Sequence, residues 1–323
     1  MLGLNSPARA EPPPETKKIR LVHAPAMCLA PQYIAEELLR AEGFAEVEYV
    51  SIRKPSGAYT SVWIDAMLID GAADFTMGGA PGHVSAVDAT MDSSSGIVVL
   101  GGLHAGCYEL FGNGPVQSIR DLKGRTVAVK DFGDDRLFIS SMLAYVGMDP
   151  SKDVKWLTSP KGDSMRLFVE RKADAFLAFP PEPQELRPRK IGQVLLRTVS
   201  DRPWSQYFCC MVAGNREFVR KYPVATKRVL RAYLKAADIC ANDPERAARY
   251  MVEKGYVPEF KYALQLITEL PYRRWREADP EDTVRFHALR LHEVGMIKSN
   301  PQKLIAQGTD WRFLNELKRE LKA

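Results

Sequence analysis

Six soft or titratable side chains, His23, Met27, Cys28, His83, His104 and Cys107, fall in short Gly- or Pro-containing passages between apolar runs. Thiol and imidazole groups brought near one another have the chemistry to hold a soft metal. Their spacing matches no recognised metal motif, and a buried structural cysteine is the commoner arrangement, so no metal site is assigned. Asp134-Asp135-Arg136 is a second candidate: paired carboxylates suit acid–base work, and an inward arginine would attract an anion. The same carboxylates stand where a helix begins, and negative charge there contributes about 0.3–1 kcal/mol without any ligand. Phe132, Phe179, Trp204 and Tyr207 are candidate aromatic walls, as a mainly apolar small-molecule pocket requires; Trp63, within a helix, reads as core. His287 and His292, five apart on one helix, share no face and read as surface residues. The chain contains no H-E-x-x-H, G-x-S-x-G, Walker loop or C-x-x-C, so catalysis is weakly signalled.

These residues need elements to position them. Strands are predicted over 19–23, 47–52 and 73–77, with helices near 32–42 and 60–69 between them; Gly43 and Gly71 supply the helix stops. Strand and helix alternating at these lengths predict a parallel sheet with helices on both faces. The apolar run 97–100 is a fourth strand, ended by paired glycines, and 107–111 is a crossing strand. Ser118 and Asp121 are spaced like a capping box, and Gly124 stops that helix. A second α/β unit follows, with strands over 126–130, 154–157, 175–179 and 194–196 and helices near 136–146 and 163–171. The run 207–213 returns the chain to the first unit. Beyond Gly214 it is mostly helical, with Asp243-Pro244 and Asp279-Pro280 as helix starts, Gly295 as a stop and Asp310 opening the last helix.

Ligands in open α/β sheets sit outside the carboxyl ends of the strands. That rule selects the loops 23–31, 78–83 (with Gly79 and Ala80) and 103–107 in the first unit. In the second it selects 131–136, 160–164 and Phe179-Pro180-Pro181. The predicted architecture is two lobes, 18–110 with 208–323 and 111–207, joined by two crossing strands that act as a hinge; residues 1–17 form a tail. A contact bridging the lobes, such as His104 with Asp135, would be the minimal closing device.

The formal charge of +5 is spread along 323 residues without a basic stripe, which argues against nucleic acid. No apolar run approaches the roughly 18 residues of a membrane span. Ala8-Arg9-Ala10 before a Pro-rich stretch fits the end of an export signal whose basic and apolar parts are missing. Five cysteines in this length do not make a disulfide scaffold. Adjacent Cys209 and Cys210 do not bridge each other without strain, and one pair, Cys28 with Cys107, is open if their loops meet.

The order of several passages carries a family resemblance. They are A-P-Q-Y-I-A-E-E-L-L over 30–39, G-A-A-D-F over 71–75, S-I-R-D-L-K-G-R-T-V-A-V over 118–129 and K-A-D-A-F-L-A-F-P-P over 172–181. Together they resemble the periplasmic substrate-binding proteins of ABC importers, within the NMT1/THI5-like branch for nitrate, sulfonates and thiamine-pyrimidine precursors. The resemblance implies a two-lobed (type II) fold closing on one small molecule, a permease and ATPase as partners, a monomer, an exported, periplasmic location and no cofactor. The ligand-binding residues expected are His23, Met27, Cys28, Gly79, Ala80, His104, Cys107, Phe132, Asp134, Asp135, Arg136, Phe179, Pro180, Trp204 and Tyr207. Members that bind sulfonate or nitrate usually place Gly with Ser or Thr where this chain has Asp134-Asp135. Two carboxylates would repel an anion, which turns the expectation to a neutral, heteroaromatic or cationic ligand. The alternative is an enzyme related to the pyrimidine synthases, of whose Cys-rich motif Phe208-Cys209-Cys210-Met211 is a faint echo without a matching site lysine.

Overall fold

The alternating apolar runs fold into two five-stranded sheets in a computed structural model that describes residues 11–24, 26–52, 61–130, 133–159 and 163–322. The first passage of chain contains β1 (Lys18–His23), α1 (Ala30–Ala41), β2 (Glu46–Ser51), α2 (Ser61–Ile69), β3 (Phe75–Gly79), α3 (Ala80–Ala89) and β4 (Ile97–Ala105). The second contains β5 (Glu109–Gly112), β6 (Thr126–Lys130), α4 (Asp134–Tyr145), β7 (Lys155–Ser159), α5 (Ser164–Val169), β8 (Ala175–Ala178), α6 (Glu182–Arg189) and β9 (Gln193–Arg197). The chain then returns as β10 (Phe208–Asn215) and continues as α7 (Arg216–Lys221), α8 (Pro223–Asn242), α9 (Pro244–Glu253) and α10 (Phe260–Glu269). It ends through α11 (Arg274–Glu277), α12 (Pro280–Glu293), α13 (Pro301–Gly308) and α14 (Arg312–Glu320).

The sheet orders are β2-β1-β3-β10-β4 and β7-β6-β8-β5-β9. The expected parallel pairing holds for β2-β1-β3 and for β7-β6-β8. Each sheet is nevertheless mixed, because β10 is antiparallel to β3 and β4, and β5 is antiparallel to β8 and β9. The parallel strands of both sheets run toward the crossings. A strand arriving from the other sheet must therefore run the opposite way.

The glycine pair after Leu100 does not end its strand: β4 runs on to Ala105 and is buried throughout. A side chain at Gly102 would collide with the ring of Phe208 on the neighbouring strand, so the glycine is there for close packing rather than for a stop. Gly43 ends α1 with a φ of 103°. The helix expected after Ser118 is a single 3-10 turn, Ile119–Leu122, in which Asp121 accepts bonds from Gln117 N and Ser118 Oγ. Helix α6 escaped the sequence reading because Pro183 and Pro188 disguise it; Pro183 sits in the first turn, where no N–H is needed. Asp243 and Asp279 cap α9 and α12 as expected, each accepting a backbone N–H two or three residues on.

Residues 11–17, expected to be a tail, dock on α8. The two Glu15 carboxylate oxygens accept from Val224 N at 2.9 Å and Ala225 N at 2.8 Å, satisfying open donors of the first turn. His287 corrects a second expectation. It is 1% exposed on α12, with Nδ1 3.2 Å from Ser141 Oγ and its ring 5.3 Å from that of Phe138, while His292 is exposed. Five residues do separate the two faces of a helix, but α12 turns one of those faces onto α4.

Burial pushes the pKa of His287 down to about 3. Its folded value thus lies below that of the unfolded chain, near 6.5. The resulting stabilisation is complete above that pH and is lost as pH falls toward 3, by up to about 1.4 kcal/mol per pH unit. His287→Gln should therefore lose less melting temperature than the wild type between pH 6.5 and 4 in differential scanning calorimetry. Parallel curves for the two proteins would show that this histidine does not carry the acid sensitivity.

Candidate ligand-binding site

The carboxyl ends of β1, β3 and β4 and those of β6 and β8 are joined by two crossings, one between Ala105 and Glu109 and one between Arg197 and Phe208. Thr198 ties the crossings together. Its Oγ1 accepts from Cys107 N at 3.3 Å and Tyr108 N at 3.0 Å and donates to Tyr108 O at 2.8 Å. The Tyr108 ring is buried against Phe138 at 4.7 Å and Phe179 at 5.2 Å, so Phe179 does contribute an aromatic surface beside the crossings. Beneath it Glu182 accepts from Phe179 N at 2.7 Å and lies 3.8 Å from Lys130 Nζ. Burial raises the Glu182 pKa against the pull of Lys130.

Four buried thiols meet at the same place. Cys28 Sγ is 3.9 Å from Cys210 Sγ, and Cys107 Sγ is 2.8 Å from Cys209 Sγ. The expected partners Cys28 and Cys107 are thus each closest to a cysteine of β10. The pairing of Cys210 with His104, and an irregular register on both sides of Cys210, allow two consecutive side chains to reach one cluster instead of opposite faces. His104 Nδ1 lies 3.1 Å from Gly106 O, which makes it the donor, while Nε2 is buried without a hydrogen-bond partner. Burial opposes a proton on His104, but the neighbouring Cys210 and Cys28 hold its pKa up to about 10. Hydrogen bonding with Cys107 draws Cys28 down; bonding with Cys210 and burial outweigh it and push the thiol up to about 12.

The acidic pair divides its labour. Asp135 is buried, accepting from Lys130 N at 2.8 Å and Arg136 N at 2.9 Å, so it closes the turn into α4. It makes no bridge to His104, whose Nδ1 is bonded to Gly106 O. Arg136 is exposed, its guanidinium 5.2 Å from the ring of Trp156. Asp134 instead reaches to the start of α3. A Cβ built at Gly79 would collide with its carboxylate, so glycine there lets the two units approach. Burial raises the Tyr108 pKa, and the charge of Asp134 adds to that rise.

His83 was expected on a loop, but β3 runs directly into α3 and buries it. Nδ1 is 2.8 Å from Asp65 Oδ1 and Nε2 is 3.2 Å from Met211 O. Both partners accept, which suits an imidazolium. Burial works against that charge, and the Asp65 carboxylate more than offsets it, raising the pKa. The Asp65–His83 and Lys130–Glu182 pairs had no signal in the sequence beyond residue type, since each joins separate elements.

The remaining candidates scatter. His23 is half-buried beside Tyr33 and Tyr256, while Met27, Ala80 and Pro180 are buried. Trp204 packs 5.3 Å from Tyr145 of α4, and Tyr207 stacks 4.2 Å from Phe286 of α12. Tyr207 thereby lines an open cavity of about 760 Å³ with Tyr145, Arg274 and Asp282. Phe132 lies outside the described residues.

A family model described as NMT1/THI5 like matches residues 50–247, more than half of the chain. The chain belongs to this family. No curated protein matches it in sequence. Among solved structures it is similar to the periplasmic nitrate-binding protein NrtA from Synechocystis PCC 6803, with 16% identity, a TM-score of 0.78 and coverage of 96% of this chain and 90% of that one. The periplasmic aliphatic sulphonate binding protein SsuA from Escherichia coli is 15% identical over 92% of this chain and 94% of its own, with a TM-score of 0.67. The desulfurization enzyme DSZB is 14% identical over 94% of this chain and 99% of its own, with a TM-score of 0.61. At such identities the likeness is one of fold, and that fold is the two-lobed periplasmic-binding-protein architecture with paired crossing strands.

The approach of Asp134 to Gly79 is testable by a double-mutant cycle. Gly79→Ala should cost about 1–3 kcal/mol in urea unfolding, as overpacking does. In an Asp134→Ala background most of that cost should disappear, a coupling of about 0.5–3 kcal/mol. Strictly additive losses would mean that the carboxylate does not press on Gly79.

Proposed function

We propose that this protein is the solute-binding component of an ABC-type importer, acting in the periplasm as a monomer that closes about the two crossings on one small molecule. The lobes are 18–110 with 208–323, and 111–207. No chemical step is involved: the solute stabilises the closed form because it touches both lobes, and the closed form is what the permease and its ATPase receive. Family membership and the binding proteins that share the fold support this reading.

The solute is neutral, heteroaromatic or cationic rather than nitrate or a sulfonate. The observation that carries this is the Asp134 carboxylate against Gly79, at the amino end of α3. The positive end of that helix dipole would otherwise welcome an anion. Here a fixed carboxylate already takes that position, and a second negative charge would meet repulsion. The rings of Tyr108, Phe138 and Phe179 beside it suit a flat, apolar solute.

The alternative, an enzyme related to the pyrimidine synthases, draws on the thiols beside His104 and on the shared fold of a desulfurization enzyme. Absorbance of a pyridoxal phosphate adduct after incubation with that cofactor would favour it.

A thermal-shift panel tests the solute class, since binding only the native form raises its melting temperature, by an amount equivalent to about 2.7 kcal/mol at a hundredfold excess over Kd. Heteroaromatic or cationic metabolites should shift the wild type, whereas nitrate and methanesulfonate should not. Asp134→Asn should gain a response to the anions. A wild type stabilised by nitrate or methanesulfonate would overturn the assignment.

A further inference from the structure

The thiol cluster is more than packing. Buried cysteines ordinarily behave as small apolar groups, and one such, Cys240, is a buried residue of α8. At the crossings, by contrast, four thiols and an imidazole converge from three distant parts of the chain. Cys28, His104 and Cys210 offer ligand atoms all within 4.8 Å of one another, as do Cys107, Cys209 and Cys210, so the two groups share Cys210. All five residues are buried.

We propose that this cluster is a binding site for one thiophilic d10 cation, Cu(I) or Zn2+, held by Cys28 Sγ, Cys210 Sγ and His104 Nε2, with Cys107 or Cys209 completing the coordination. Three observations carry it. His104 Nε2 is buried with no hydrogen-bond partner, a condition that buried polar atoms rarely tolerate. Its Nδ1 donates to Gly106 O, so Nε2 is the nitrogen left for a metal, and any proton on it leaves when the ion binds, the arrangement usual for metal-bound histidine. The Cys28–Cys210 separation of 3.9 Å is close to that spanned by two sulfurs bound to one ion at about 2.3 Å each in tetrahedral geometry.

The ligand set narrows the ion. Thiolate and imidazole without a carboxylate disfavour Mg2+ and Ca2+ and suit Cu(I) or Zn2+. Binding releases the protons of the coordinating thiols to solvent; with a neutral imidazole, two thiolates balance a divalent ion and a third leaves the site one unit negative. The ion would join the turn after β1 to β4 and β10, and to the first crossing when Cys107 takes part. It is a resident ion beneath the cleft, and its presence does not depend on which solute the cleft takes.

The test uses the full chain, reduced and stripped of metal, titrated without oxygen. Zn2+ is competed against a chromophoric chelator and Cu(I) against bicinchoninate. One equivalent of either ion should pass to the wild-type protein, the preferred ion distinguishing a zinc from a copper site. X-ray absorption should show at least two sulfurs at about 2.3 Å with a nitrogen ligand. Cys28→Ser and Cys210→Ser should weaken binding at least a hundredfold and His104→Gln at least tenfold, with Cys240→Ser unchanged. The wild-type titration needs no variant to fold, and circular dichroism checks those that are made. Both chelators keeping their metal against the wild type would overturn the site, as would equal weakening by Cys240→Ser. Solute binding is then measured on the same stripped protein, so that loss of the ion and loss of the carrier role are read separately.

Discussion

The chain leaves one sheet after Ala105 and comes back to it at Phe208, and these two passages must lie side by side. Both directions of travel follow from that. A strand entering either sheet from the other runs against its neighbours, so β5 and β10 are each antiparallel and each lies one place in from an edge. The crossings are held to each other by hydrogen bonding, the first having no regular element and the second only a 3-10 turn at Trp204–Gln206. The Thr198 hydroxyl supplies it, accepting from the buried Cys107 and Tyr108 amides and donating to Tyr108 O, which also accepts from Thr198 N. Phe208 can close over β4 only because residue 102 has no side chain.

Charge is placed with the same economy. Arg20 meets Asp74 at 2.6 Å, His83 meets Asp65, and Glu109 meets Arg197 at 3.1 Å, so these carboxylates have partners where strands and helices come together. Asp134 and Asp135 show how two identical neighbours acquire different work. One folds back on its own turn, and the other crosses to the opposite unit. Rotation of about 100° per residue along the helix is enough to separate them. Helix α12 is the further link: it packs on α3 and on α4, and the neutral His287 buried in that contact couples the joint to pH.

Much of the fold was legible in the residues. Strands 126–130 and 19–23, the Asp-Pro helix starts and the Gly43 stop are local events, decided by a few neighbouring side chains and backbone angles. The crossings near 107 and 207 were legible too, because an extended apolar run replaced the helix that a parallel connection requires. Where local signals competed with packing, the reading failed. Gly101-Gly102 looked like a stop and proved to be a landing place for Phe208, and prolines hid α6.

Composition, the alternation of strand and helix, the Asp-Pro helix starts and the family pattern were therefore determined by the sequence alone, since they depend on residues near one another in the chain. Only the tertiary structure decided which thiols meet, which aspartate faces the other unit and which histidine is buried. Cys28 and Cys210 are 182 residues apart, and Cys107 and Cys209 are 102 apart. Their meeting depends on the register of β10 against β4, where a shift of one residue would carry the sulfurs to the other face of the sheet. No property of either segment by itself encodes that register.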